Sequence, residues 1–289
     1  MSDLPTLFVS GASGQLGRRV VELLLERGYA GKIIAGTRSP EKLADLKGVE
    51  IRHADYADPD LAKALAGVDA FLIISTDQLG TRLALHGKAV EAAKAAGVKH
   101  VLYTSGPTPE PPSAITFAPE HYGTEQAIKA SGIPYTILRM CWYTEALLSA
   151  LPPVLTSGQW YSAAGDGKCN YVTREDCARA AAGALMRPAA NQILTVTGPA
   201  ALSVAEIAAI ATDITGKPLQ VVGVSDEQLA AGAKAAGVPD FVIDNFIVSF
   251  DRNTREGKVN LVTDAVETLW GTKPISVREF LTANKAALG

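Results

Sequence analysis

Along the first half of the chain, short apolar and β-branched runs alternate with stretches whose apolar residues recur every three to four positions. The runs TLFVSG, KIIAGT, VEIRHAD, DAFLIIS, KHVLYTS and PYTILRM read as strands. Between them, QLGRRVVELLLERG, a stretch from Pro40, DPDLAKALAG, TRLALHGKAVEAAKAAG and the segment around EHYGTEQ read as helices. In DPDLAKALAG, Asp58 is the expected N-cap and Pro59 the first helical residue. DAFLIIS is almost wholly apolar, as a strand covered on both faces must be. Such strands separated by helices predict an α/β fold with a doubly wound parallel sheet. Ligands of such a sheet bind beyond the carboxyl ends of its strands. Those ends are Ser10–Gly11, Thr37–Arg38, Asp55, Ser75–Thr76, Thr104–Ser105 and Met140–Tyr143.

The pattern changes after about residue 150. VLTSGQWYSAAGDGKCNYVTRED reads as loop-rich, REDCARAAAGALMRP as a helix and ILTVTG as a returning strand. LSVAEIAAIATDITG is a helix, PLQVVGVS a strand, and the remainder mostly helical. The expected division is a nucleotide-binding domain over 1–150. Residues 151–289 then return to the sheet and add a small C-terminal lobe forming one wall of a cleft. GPTPEPPSA and residues 238–258 are the candidate lids.

Composition narrows the function. The 289 residues are 47% hydrophobic, enough for a sizeable core. A net charge of −3 without a basic stripe argues against nucleic-acid binding. No apolar run has the length of a bilayer span, and MSDLPTLFVSG lacks the basic start of a signal peptide, so no membrane partner is expected. Cys141, Cys169 and Cys177 show no pairing pattern, which suits a reducing cytoplasm. His53, His86, His100 and His121 stand in no metal-ligand spacing, so no metal is expected.

The strongest chemical signal is GASGQLG, which sets Gly11, Gly14 and Gly17 between the first strand and the first helix. Gly11 permits the tight turn, Gly14 lets a pyrophosphate approach the helix N-terminus, and Gly17 lets the helix lie close to the strand. The alternative is a glycine-rich turn without a ligand. In this context the loop, with Ala12, Ser13, Gln15 and Leu16, predicts a Rossmann dinucleotide site. The second strand ends in GTRSPEK, with Arg38 where an NAD site usually carries an acid. A guanidinium suits a 2′-phosphate, so NADP(H) is the expected cofactor, and Arg18 could add a second charge. The alternative is that Arg38 is a solvated loop charge. Asp55 and Tyr56 are expected beside the adenine, or else are a turn aspartate and a packed tyrosine.

GASGQLG, GTRSPEKL, VEIRHADYADPDLAKALAGVDAFLIIS, AAKAAGVKHVLYTS, EHYGTEQAIKASGIPYTILR, WYTE and AAGDGKCNYVTRED together resemble the NmrA-like group of atypical short-chain dehydrogenase/reductases. Within it they are most similar to NADPH-dependent quinone oxidoreductases and triphenylmethane dye reductases. The resemblance implies that residues Gly11 to Leu16 hold the pyrophosphate and Arg38 the 2′-phosphate. It also implies that Ser75 and Thr76 border the cofactor; Thr104, at the next strand end, is a further cofactor-binding candidate. The segment Met140 to Glu145 would lie near the nicotinamide, with the loop Asn170 to Thr173 approaching it. Met140 and Ala146 stand where the group commonly has asparagine, which implies a more apolar acceptor.

The Tyr-xxx-Lys proton relay of most short-chain dehydrogenases is absent: Tyr122 is followed at that spacing by Gln126, and Tyr103 by Pro107. The corresponding place reads His121 and Glu125. An electron-poor acceptor can take hydride first and a proton later from water, so the missing relay favours a quinone-like small molecule. On a helix, Phe117, His121, Thr124 and Ile128 share a face, so His121 is either a satisfied buried histidine or a catalytic group. Glu125 and Lys129 read as a surface i, i+4 brace, and Glu120 as a partner of the helix dipole. Trp142, Tyr143 and Glu145 are the expected substrate contacts, with Tyr143 also a catalytic candidate; ordinary core packing is the alternative for the aromatic pair. Cys141 reads as packing. The expected activity is NADPH-dependent hydride transfer to a planar electron-poor acceptor. The alternatives are a ketone or imine reductase and a non-catalytic NADP(H) sensor.

Overall fold

The computed structural model describes residues 4–289. Strand β1 (Leu7–Val9) leads through the glycine loop into α1 (Gln15–Glu26). Then follow β2 (Ile33–Thr37), β3 (Glu50–His53), α2 (Leu61–Ala64), β4 (Ala70–Ile73), α3 (Arg82–Ala95), β5 (His100–Ser105), α4 (Ala118–Ser131) and β6 (Tyr135–Met140). The second half contains α5 (Leu147–Ser157), β7 (Gln159–Ser162), β8 (Lys168–Cys169), α6 (Arg174–Leu185), β9 (Gln192–Val196), β10 (Leu202–Ser203), α7 (Val204–Thr215) and β11 (Gln220–Gly223). It closes with α8 (Asp226–Ala235), α9 (Asp240–Val242), α10 (Ser249–Arg255), α11 (Ala265–Trp270) and α12 (Val277–Ala283).

Seven strands form one parallel sheet in the order β3-β2-β1-β4-β5-β6-β9. The order reverses between β1 and β4, which opens a crevice at the carboxyl ends of those strands. One apolar layer packs α1 and α6 on the sheet through Val20, Leu24, Ala181 and Leu185. The opposite layer seats α2, α3 and α4 through Leu65, Ala89, Ala93 and Ile128 on Phe71 and Tyr103. Leu151, Leu155, Ile207, Ala211 and Leu281 of α5, α7 and α12 form a third cluster, the core of the C-terminal lobe. The α/β fold and the return of β9 to the sheet agree with the sequence pattern.

Two local expectations change. Asp58 is not an N-cap: its Oδ1 accepts the amide of Asp60 at 2.8 Å in an Asx turn, and α2 starts only at Leu61. The stretch read as loop from Val154 begins inside α5, which tolerates Pro152 and Pro153 in its interior. PLQVVGVS does form a strand, β11, but it pairs with β7 outside the main sheet. Among the described residues no helix is long and apolar enough to cross a membrane.

Candidate active site

Two adjoining pockets lie over the carboxyl ends of the sheet. The first is a cleft of about 520 Å³ at the reversal of strand order. Its floor is the glycine loop: Gly11, Ser13, Gly14, Gln15, Leu16 and Gly17 all line it. Gly11 has φ +60°, a left-handed turn that favours glycine. A side chain at Gly17 would collide with the carbonyl of Gly11, so glycine there lets α1 press against the turn. Ala12 does not reach the cleft; it is buried, and its amide bonds to Gly36 O at 3.0 Å. Thr37 Oγ1 donates to Ser13 Oγ at 2.7 Å and holds the loop against β2.

The start of α1 is built to meet an anion. Its N-cap is Gly14, with no side-chain hydrogen bond and no acid in the first turn. The helices α6, α7, α8 and α12 instead begin with Thr173, Ser203, Ser225 and Ser276, whose hydroxyls cap them. The first amides of α1 are therefore left for a ligand's phosphate oxygens, which the helix dipole also favours. Arg38 lies exposed on the rim, with no ion-pair partner among the described residues. Arg18 does not supply a second charge there, because Glu22 at 3.0 Å and Asp45 hold its guanidinium. The cleft residues fit a phosphorylated dinucleotide.

Asp55 and Tyr56 line the same cleft and also make the local contacts weighed against a ligand role. Asp55 Oδ1 accepts the amide of Ala57 at 2.9 Å, and the Tyr56 hydroxyl lies 2.5 Å from Ser10 Oγ and donates to Ile74 O at 2.9 Å. Ser75, Thr76 and Thr104 complete the wall, with the amide of Ser75 donating to Thr104 Oγ1 at 2.9 Å.

The second pocket is a cavity of about 1320 Å³ between the sheet and the C-terminal lobe. Ser75, Thr104 and Tyr143 line both pockets and mark their junction. Tyr143 is held there by its backbone, which bridges to Val172 on the segment before α6; Thr144 N donates to Val172 O at 2.9 Å. The Arg174 guanidinium lies 5.0 Å from the Tyr143 ring centre, and the Tyr143 hydroxyl meets Met140 Sδ at 3.9 Å. Burial pushes that hydroxyl well above the ordinary tyrosine range, so it stays protonated. Met140 lines the cavity and not the cleft.

Part of the cavity wall is an aromatic cluster. Trp142 packs 4.7 Å from Phe250 and 6.1 Å from Phe117, and Phe117 lies 5.7 Å from Phe246. Phe246 and Phe250 come from the segment 238–258, and Phe117 follows the proline-rich loop. The segment 238–258 therefore meets the residues that follow the proline-rich loop, and Thr116 also bonds to Asn245 there. Phe117, Phe246 and Phe250 were not named as site residues from sequence, although the last two lie in the candidate lid 238–258, because nothing in sequence spacing joins the start of α4 to α10. Asp251 is a half-buried acid of this cavity: its Oδ2 accepts Ser162 Oγ at 2.9 Å and Ala163 N at 2.7 Å, and desolvation raises its carboxyl.

Two expected polar contacts line the cavity and are also held by the protein. Glu145 lines the cavity, but its carboxylate accepts the amide of Arg174 at 2.9 Å, fastening the start of α6. His121 also lines the cavity, yet both ring nitrogens are engaged, Nε2 with Arg82 at 3.1 Å and Nδ1 with Tyr103 at 2.7 Å. Burial, with Arg82 and His86 nearby, holds it well below the ordinary histidine range, so it is neutral. His121 thus stands in the cavity wall with both ring nitrogens engaged by the protein. Glu125 is no surface brace; it is fully buried and pairs with Arg139, Oε1 to Nε at 2.9 Å and Oε2 to Nη2 at 2.7 Å. Cys141 is packing, its thiol pushed up to about 12 by burial.

A parallel sheet in this order, an uncapped helix start behind a glycine loop and a second pocket at the junction define a dinucleotide-binding α/β protein. The chain belongs to the NAD(P)H-binding family, whose model matches residues 11–188. It is 38% identical over 240 residues to quinone oxidoreductase 2 of Escherichia coli (strain K12), spanning 82% of this chain and 84% of that protein. Its fold is similar to the NADPH-dependent quinone oxidoreductase of Escherichia coli complexed with NADPH, with a TM-score of 0.91, 34% identity and coverage of 97% of this chain and 100% of that one. The triphenylmethane reductase of Citrobacter sp. complexed with NADP(H) is similar at a TM-score of 0.88 and 34% identity, over 97% of this chain and 100% of that one.

Proposed function

We propose that this protein is an NADPH-dependent oxidoreductase that reduces a planar, electron-poor small molecule of the quinone type. The observation that carries the reading is the junction: Ser75, Thr104 and Tyr143 are shared between a cleft suited to a phosphorylated dinucleotide and a large, partly aromatic cavity. The relatedness to reductases named for quinones and triphenylmethane dyes supports the same class of acceptor.

Bound reduced nicotinamide supplies a hydride. The chain's own work is to bind and orient. The amides after Gly14 hold phosphate, Arg38 takes the 2′-phosphate, and Ser75 and Thr104 face the junction. Tyr143, buttressed by Arg174, orients the acceptor at the junction. Trp142, Phe117 and Phe250 offer ring faces to a flat acceptor and exclude water from it. No side chain at the junction is a strong acid: Tyr143 stays protonated and His121 neutral. That suits an acceptor that takes hydride without prior protonation and collects its proton from water afterwards.

The test is loss of NADPH absorbance with a panel of quinones, cationic dyes and unactivated ketones. Turnover with quinones or dyes and none with ketones is expected. Tight NADPH binding without turnover on any acceptor would overturn the enzyme reading in favour of a sensor.

A further inference from the structure

Between the two pockets runs a buried polar network that hydride transfer itself does not require. Arg82, the first residue of α3, is buried, and neither of its hydrogen-bond partners is a carboxylate. A buried cation without a counter-ion is unfavourable unless its donors are well used. Arg82 Nε donates to Thr76 O at 2.8 Å, and Nη1 reaches His121 Nε2 at 3.1 Å. One turn on, His86 Nε2 accepts the amide of Thr76 at 3.1 Å, while His86 Nδ1 faces Thr124 Oγ1 at 3.1 Å. Arg82 and His86, at i and i+4 on α3, thus hold both the carbonyl and the amide of Thr76. Thr76 and Arg82 line the cleft; His121 lines the cavity.

The network also dictates a tautomer. A guanidinium only donates, so His121 Nε2 must accept, and the ring proton sits on Nδ1 toward Tyr103 Oη at 2.7 Å. A second proton, on Nε2, would point at the guanidinium. The titratable groups facing His121 are Arg82 and His86 from α3 and Tyr103 from β5. The acids nearest Arg82 are Glu120 and Asp77.

We propose that Arg82 is a positioning residue that couples the two pockets, fixing the Thr76 wall of the cleft and locking His121, in the cavity wall, as its neutral Nδ1–H form. The proposal rests on the reading of cleft and cavity as cofactor and acceptor sites. Its consequence is that His121 adds neither charge nor an Nε2 proton to the cavity wall, while any shift of His121 is transmitted to Thr76.

The test uses the full-length protein with nitrogen-15 histidine, assigned with His121→Asn. In the wild type, His121 is expected to keep a protonated Nδ1 and a bare Nε2 from about pH 8 to about pH 5, the range in which free histidine titrates. In Arg82→Met, Nε2 is no longer held as an acceptor, so His121 should lose its single tautomer and begin to carry its proton on Nε2 as well. NADPH affinity, read by protein fluorescence, should fall about tenfold, as for loss of a hydrogen bond from a charged donor. Arg82→Lys, which keeps the charge without the fork, should fall between the two. A wild-type His121 that titrates near its free value, or carries its proton on Nε2, overturns the proposal. So does an Arg82→Met protein with unchanged His121 tautomer and NADPH affinity. If Arg82→Met does not fold, the wild-type tautomer and Arg82→Lys decide. These readouts need no turnover, so an inactive wild type would defeat the reductase reading without deciding this one.

Discussion

Arg38 and Arg82 are two arginines at the same cleft, and they show how differently a residue's role can be read. Arg38 closes a strand that ends without an acid, so its position beside a ribose follows from chain order alone. It is exposed and holds no ion pair among the described residues, leaving its fork free for a phosphate. Arg38→Ala is expected to weaken NADPH binding by about 1.5–3 kcal/mol, the range for a charged hydrogen-bonded contact, and to leave NADH binding almost unchanged. Titrating both cofactors checks this; equal losses for both would remove the 2′-phosphate role. Arg82 was not legible as a functional residue, since a basic residue at a helix start usually faces solvent. A signal was present: Arg82, His86, Ala89 and Ala93 fall on one helical face, so two polar residues extend an apolar stripe.

Among the elements, α4 departs most from its sequence pattern. Its buried face includes His121, Thr124, Glu125 and Ile128, wider than the apolar residues alone mark out. Glu125 lies on that face because Arg139, on β6, and Ser105, on β5, come up beneath it, and Ser105 Oγ donates to Glu125 Oε1 at 2.7 Å. This pair ties α4 to two strands. Arg139 also pairs with Glu110, whereas removing Arg139 leaves the Glu125 carboxylate buried without a counter-ion, so Arg139→Ala should lose about 3–5 kcal/mol of stability in urea unfolding. A loss below about 1 kcal/mol, typical of exposed pairs, would return Glu125 to the surface-brace reading. Helix α5 was hidden by its two prolines, which break helical patterns in sequence yet are tolerated here in the α5 interior. By contrast, α1 was plain from its apolar spacing and glycines, because local geometry alone demands both.

At the scale of the whole molecule, three histidines are buried and neutral. His86 is held at about 3 and His100 at about 4, both chiefly by burial, and His121 lies well below its ordinary value. Their unfolded forms titrate near about 6.5. Below that pH the unfolded chain takes up protons that the folded protein refuses, so stability present at neutral pH is lost as pH falls toward the folded values. Each contributes up to about 1.4 kcal/mol per pH unit in that window. The urea midpoint should therefore drop between about pH 7 and about pH 5, above the range where carboxylates titrate, and a flat midpoint would contradict neutral burial of all three. Chain order and hydrophobic period were enough to determine the parallel sheet, the glycine loop and the cleft end of each strand, because those features depend on residues close in sequence. The acceptor cavity is another matter. Phe117, Trp142 and Phe250 belong to separate elements, and His121 becomes an uncharged wall because packing buries it and α3 brings Arg82 against it. Long-range packing and the low dielectric it creates decided that part of the site, and neither is written in local spacing.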